Sequence, residues 1–291
     1  MRAVQIPLCA LLASLTVLPS HANPDITSRE YKLLLDPGKF TYSSESSTVS
    51  SYYSAAQSQI QTAINRSVSG ALAYDRTRLI RFYDSPGSCL LNSKGYIFRE
   101  RVENGTSEVT LKYRGYDRYI ADFENLSGSQ PSAVTKLEED VTSKTGQPFV
   151  VAISKSTTEP NTRTLNDFQD VNVHFPGFAA SYAIANSTPL TLVSNFTATE
   201  RQYSGPVIDL GEFDAELVLT LWYHGTPTSS SKPVVAEVSF KYADPAADYT
   251  KPVVNRAATA FAALNGMSSW VSTTAQTKTQ YVYNLNPTFC Q

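Results

Sequence analysis

Cysteine is scarce in this chain, with three in 291 residues, and one of them, Cys9, falls in the first apolar run. That leaves Cys89 and Cys290, too few for a four-ligand zinc site and not spaced as a CxxC redox pair. In an oxidising compartment they are a candidate disulfide tying the C-terminal end to the region after residue 84; the sequence leaves their pairing open. Histidine is equally rare, with three. His174 and His224 sit in no metal-ligand or triad pattern, and His224, beside Gly225, reads as a surface residue at a strand end. No GxxxxGK, GxGxxG, HExxH or GxSxG occurs, which removes the common phosphate-loop, dinucleotide, zinc-protease and nucleophile-elbow chemistries. The formal charge is −2. No global basicity points to nucleic acid, so any anion site must be local.

Long apolar runs are absent beyond the N-terminus. There Arg2 precedes a largely apolar stretch from Ala3 to Leu18, and Ser20-His21-Ala22 supplies small residues for cleavage. Residues 1–22 read as a signal peptide cut after Ala22, too short and too interrupted by Pro7 and Pro19 to span a membrane. Cys9 lacks the preceding small residues of a lipid-attachment cysteine. The expectation is an exported protein, periplasmic or secreted, soluble and without a membrane anchor. Hydrophobic content of 42% and charged content of 17% are those of a globular chain, and the 17 Tyr and 13 Phe favour strands.

The central stretch, Arg78 to Arg114, reads as three strands. The first ends at Asp84-Ser85-Pro86, the second at Asn104-Gly105, and Asn-Gly between alternating runs is a hairpin signal. Residues two apart share a strand face. Arg99 and Arg101 therefore point one way, with Ile97 expected to pack elsewhere alongside Val109 and Leu111. Lys112 and Arg114 share the face opposite Val109, Leu111 and Tyr113. Such a cationic face is either solvated or a concave anion site, for which arginine is well suited.

Around this centre, Ile26–Leu35 reads as a strand with Ser28, Glu30 and Lys32 on one face. Residues 46–72 hold a helix with Tyr52, Ala56, Ile60 and Ile64 as its core stripe and Gly70 as a plausible end. Residues 116–131 read as a loop or short strand. Lys136, Glu138 and Asp140 then share a strand face, and residues 149–157 form a further strand. A capped turn follows near residues 164–168, then an Ala- and Tyr-rich helix or strand after Pro176-Gly177. Three late strands place Thr199, Arg201 and Tyr203 together, then Glu216, Val218, Thr220 and Trp222, then Glu237, Ser239 and Lys241. A helix begins at Pro252 and ends at Gly266, and a polar tail follows to Cys290.

Three of these motifs resemble the CYTH superfamily, the triphosphate tunnel metalloenzyme-like proteins, which include triphosphatases and class IV adenylate cyclases. They are Tyr83-Asp84-Ser85-Pro86, Arg99-Glu100-Arg101 and Thr110-Leu111-Lys112, in that order. The first strand matches the family's Glu-x-Glu-x-Lys at Glu30 and Lys32, with Ser28 at the first glutamate. The late Glu-x-Glu strand is matched at Glu237, with Ser239 as its partner.

Alternating strands of this kind can close into a barrel with charges inside. The expected fold is α+β, mainly β: a closed antiparallel barrel of about eight strands with helices outside, residues 25–265, followed by a tail, 266–291. The inward set is then Glu30, Lys32, Arg78, Arg99, Arg101, Lys112, Arg114, Lys136, Glu138, Asp140, Arg201, Glu237 and Lys241. The resemblance implies substrate binding by Lys32, Arg78, Arg99, Arg101, Lys112, Arg114, Arg201 and Lys241. It implies catalysis by Glu30, Glu138 and Glu237, and Mg²⁺ or Mn²⁺ on Glu30, Glu138, Asp140 and Glu237. The activity implied is metal-dependent hydrolysis of a triphosphate, polyphosphate or organic phosphate. Serine at two expected carboxylates weakens a metal site more than a phosphate site. The alternatives are therefore a non-catalytic exported binding protein for a phosphorylated or other anionic ligand, or a structural exported domain. Oligomeric state stays open.

Overall fold

The computed structural model describes residues 26–144, 146–274 and 276–291; the expected signal peptide lies outside them. In chain order the elements are β1 (Ser28–Leu35), α1 (Glu45–Ile64), β2 (Val68–Ser69), β3 (Ala73–Asp84), β4 (Tyr96–Glu103), β5 (Thr106–Gly115), α2 (Arg118–Phe123), β6 (Val134–Lys144), β7 (Gln147–Pro160), α3 (Phe168–His174), α4 (Pro176–Tyr182), β8 (Thr191–Ser204), β9 (Val207–Asp209), β10 (Asp214–His224), β11 (Val235–Ala243), α5 (Lys251–Asn265) and α6 (Lys278–Asn284). No helix among the described residues is long and apolar enough to cross a membrane.

The strands run β11-β1-β6-β7-β5-β4-β3-β8-β10, and β10 pairs back onto β11, closing a barrel of nine strands. β9 and β2 extend from the end of β10 outside this ring. The expected barrel of about eight antiparallel strands is corrected on both counts. There are nine, and β1 lies parallel to β6, because the chain returns to β1's free edge only after the excursion through α1 and β2–β5. The Asn104-Gly105 hairpin is as expected, with φ of 51° and 80° at the two turn residues. Gly70 is needed where it stands. Its φ is +80°, and a Cβ there would meet the Gly205 carbonyl oxygen at 2.7 Å.

The apolar faces point outward and meet the helices. Tyr31, Leu33, Leu219, Val238 and Phe240 pack against the Tyr52–Ile60 stripe of α1 and against Ala257 and Phe261 of α5. Tyr31 stacks on Phe240 at 4.8 Å between ring centroids. α1 stops at Asn65, not at Gly70, because asparagine takes the left-handed φ of 51° there. On the far side Phe98, Val109 and Leu111 meet Phe168, Phe175 and Phe178 of α3 and α4. The segment expected as a loop or short strand carries α2, started by the Asp117 carboxylate accepting from the Tyr119 and Ile120 amides. The capped turn near Phe168 is α3, with Asp167 as its cap in a capping box.

The tail is not a loose appendage. Cys89 and Cys290 are bonded, with Cα atoms 5.1 Å apart. Asp84, fully buried, holds the loop that carries Cys89: it accepts from the amides of Ser85, Leu91 and Asn92 and from the Tyr283 hydroxyl at 2.8 Å. The Tyr-Asp-Ser-Pro motif therefore anchors the C-terminal segment and faces no cavity. A cross-link spanning 201 residues is worth about 4–5 kcal/mol in the chain-entropy model. The Cys89→Ser, Cys290→Ser variant should accordingly melt about 5–15 °C below wild type. Identical calorimetric melting of the two would show that the bridge does not hold the fold.

Candidate functional site

Inside the barrel lies a cavity of about 1140 Å³. Every member of the expected inward set lines it except Asp140 and Arg201. Asp140, with no exposure, sits behind the wall and accepts from Lys32 at 2.6 Å, from Lys112 at 3.1 Å and from Arg114. Lys32 also meets Glu30 at 2.9 Å. Lys241 pairs with Glu138 at 3.7 Å, which in turn accepts from Ser28 Oγ at 2.7 Å. The serine at the first expected glutamate thus supports a carboxylate instead of supplying one.

Arg201 is a correction. It points out of the barrel to Glu45 of α1, which also accepts from the hydroxyls of Tyr203 and Tyr223 at 2.8 Å each. The inward residues of β8 are Glu200 and Gln202. Ile97 is a second correction: it shares the face of Arg99 and lines the cavity, at an apolar end formed with Ile80, Phe82 and Trp222. His224 is exposed as expected, and buried His174, not itself a lining residue, pairs at 2.6 Å with Glu159, which borders the cavity.

A second charge cluster was not legible in the sequence. Glu200 accepts from Arg78, from Trp222 Nε1 at 2.8 Å, and lies 3.9 Å from Lys278 of α6. Lys278 also meets Glu237 at 2.9 Å and donates to Thr220 Oγ1 at 2.6 Å. Nothing in the polar tail marked Lys278, because a segment without apolar periodicity gives no face to read. Arg99 differs from its neighbours. Among the described residues it has no carboxylate partner; its one side-chain hydrogen bond is to Thr110 at 3.5 Å, and its Nε is buried without a partner. Arg101, by contrast, pairs with Glu108 at 2.9 Å.

The electrostatics follow from this crowding. Burial, then Arg101 and Arg78, push the Arg99 guanidinium down to about 9 in spite of Glu200 and Glu108. Burial, Lys32 and Arg114 push Lys112 down although Asp140 pulls the other way. Burial opposes ionisation of Asp140 too, but Lys112, Lys32 and Arg114 overcome it and hold its carboxyl well below the usual range. Glu30 is held low by Lys32 against burial and the Asp140 charge. The barrel interior thus carries concentrated positive charge in which Glu30, Glu138, Asp140, Glu200 and Glu237 each already meet a lysine or arginine.

No protein-family model matches the chain, and no curated protein does. Twelve chains among solved structures are similar to it, three of them as follows. One is described as a candidate adenylyl cyclase of Hippeastrum with a dominant triphosphatase activity, at 14% identity over 89% of this chain and 95% of that one, TM-score 0.40. Another is a candidate adenylate cyclase from Bacillus halodurans, at 11% identity over 88% and 96%, TM-score 0.39. The third is a protein of Pyrococcus horikoshii, at 8% identity over 89% and 99%, TM-score 0.34. The closed barrel with charges turned inward is the arrangement expected from the alternating strands.

In this barrel the carboxylates expected to hold Mg²⁺ or Mn²⁺ do not converge. Among the described residues no three acidic, histidine or cysteine side chains gather as a metal set. Glu30 and Asp140 have Lys32 between them, Glu237 has Lys278, and Glu138 has Ser28 and Lys241. A small hard cation needs several free oxygens around one point, and these residues do not offer them.

Burial raises the Glu200 carboxyl, but Lys278, Arg78 and Arg101 outweigh it and hold it at about 2, below the ordinary 4.5. With the folded value the lower one, the unfolded chain takes up the proton first. Stability from this group is therefore full above about pH 4.5 and is lost as pH falls toward 2, by about 3 kcal/mol. Urea unfolding of wild type and Glu200→Gln between pH 5.5 and 3 should show the variant weaker at pH 5.5 and less steep in acid. Parallel acid slopes would remove Glu200 from this account.

Proposed function

We propose that the barrel is a binding tunnel for a linear oligophosphate or an organic phosphate, in an exported protein. The observation that carries this reading is Arg99: a guanidinium inside an enclosed cavity, flanked by Arg78 and Arg101, with no carboxylate partner among the described residues. Taking such a charge out of water is costly unless an anion meets it. Arginine's fixed donor fork suits phosphate oxygens better than a lone chloride. Lys112 and Arg114, on the strand next to Arg99, share one carboxylate with Lys32 of β1, so positive charge to spare continues along the wall beyond Arg99. A chain of several phosphates can reach Arg99 and this second group at once, which a single phosphate cannot.

The motif resemblance supports a second reading, metal-dependent hydrolysis of a phosphoanhydride with Glu30, Glu138 and Glu237 in catalytic roles. The retention of Glu30, Lys32 and Glu237 at family positions favours it; the pairing of every one of those carboxylates with a lysine or a serine counts against it. Export favours polyphosphate or organic phosphates over nucleoside triphosphates, which are scarce outside the cytoplasm.

Tripolyphosphate added to the purified protein should raise its melting temperature. Calorimetric titration should show Arg99→Ala binding it about 10–100-fold more weakly. Wild type that neither binds nor gains stability would end the proposal. Phosphate release with Mg²⁺ or Mn²⁺, abolished by Glu237→Gln, would move the reading to hydrolysis.

A further inference from the structure

The tail is stitched to the barrel at both ends. Val271 bridges to Leu35 and the Ser272 amide donates to the Leu34 carbonyl at 3.0 Å. Within α6, the Val282 carbonyl accepts from Ser194 Oγ at 2.7 Å, and beyond it the Cys89–Cys290 bridge holds the C-terminal end. Between these anchors, residues 272–274 and 276–280 line the cavity. Lys278 opens α6, where a cation opposes the helix dipole, so local preference does not place it there. Its tertiary partners do. Three oxygens from three strands surround its nitrogen: Thr220 Oγ1 at 2.6 Å, Glu237 Oε1 at 2.9 Å and Glu200 Oε2 at 3.9 Å, with the Trp222 ring centroid 5.1 Å away.

We infer that Lys278 stands where a divalent cation would otherwise sit, and that with Arg78 on Glu200 it balances the charge of Glu200 and Glu237, so that this tunnel holds an oligophosphate without metal. The inference rests on the oligophosphate reading for its ligand but not for its geometry. With the ammonium present, Glu237 and Glu200 neither repel a polyanion nor remain free to coordinate an ion. Without it, two carboxylates and a hydroxyl face one vacated point, an all-oxygen set of the kind Mn²⁺ or Mg²⁺ accepts. The tail therefore carries a functional cation into the barrel.

The test uses the full mature chain with Lys278→Ala and, as a second variant that keeps most of the side chain's bulk, Lys278→Gln, each checked for folding by circular dichroism. Wild type should bind tripolyphosphate equally in EDTA and in Mg²⁺. The variants should bind it at least about tenfold more weakly in EDTA and recover in Mg²⁺ or Mn²⁺. A titration with Mn²⁺ alone, followed by electron paramagnetic resonance, should show uptake by the variants and none by wild type. Wild-type binding that vanishes in EDTA, or variants as tight as wild type in EDTA, overturns the inference. If wild type binds no tripolyphosphate under either condition, the oligophosphate reading fails by itself. The Mn²⁺ arm then still decides the role of Lys278, because equal uptake by wild type and variants overturns it.

Discussion

Asp140 has no contact with solvent and answers cations from two strands at once, Lys32 of the adjacent β1 and Lys112 and Arg114 of β5, which lies beyond β7. A charge that deep is tolerated only when it is paired, and here the pairing leaves a surplus of positive charge facing the cavity. β6 carries Asp140 beside β1 in the parallel pair, so the one irregularity in strand direction also brings this carboxylate under the basic wall. The rest of the interior follows from the same constraint. Glu30, Glu138, Glu200 and Glu237 each have a cation beside them, and Arg99, without a carboxylate partner among the described residues, is where a ligand's negative charge is needed.

The barrel inverts the usual placement of core and polar surface. Its apolar residues face outward under α1, α5, α3 and α4, and its charges face inward. The helices therefore supply the hydrophobic burial that stabilises the sheet, and the interior is free to be polar. The C-terminal segment belongs to both sides of this arrangement. Val282 joins the apolar cluster with Ile80, Phe82 and Trp222, while Lys278 reaches the acidic pair on β8 and β11. Its attachment through Cys290 and Tyr283 to the Asp84 loop gives the Tyr-Asp-Ser-Pro motif a structural purpose distinct from ligand contact.

Reading strands by parity worked where one face was plainly apolar. Val109, Leu111 and Tyr113 against Lys112 and Arg114 left no choice of orientation, and neither did Val238 and Phe240 against Glu237 and Lys241. It failed on β8, where Thr199, Glu200, Arg201 and Gln202 are polar on both faces. There the outward direction was set by Tyr203 and Arg201 reaching Glu45 on α1, a partner more than 150 residues away in sequence. Ile97 was misread for the opposite reason: an isoleucine belongs to whichever face its strand dictates, and this one closes the apolar end of the cavity.

The sequence by itself determined the alternation of charged and apolar residues, the Asn-Gly hairpin, the helical stripe of α1 and the cysteines available to pair, because each depends on near neighbours along the chain. The closure of β10 onto β11, the parallel β1–β6 pair, the outward turn of Arg201 and the insertion of Lys278 between Glu200 and Glu237 were decided only by the tertiary structure. Each of these joins residues whose local preferences are silent about one another, and only the requirement that buried charges find partners brings them together.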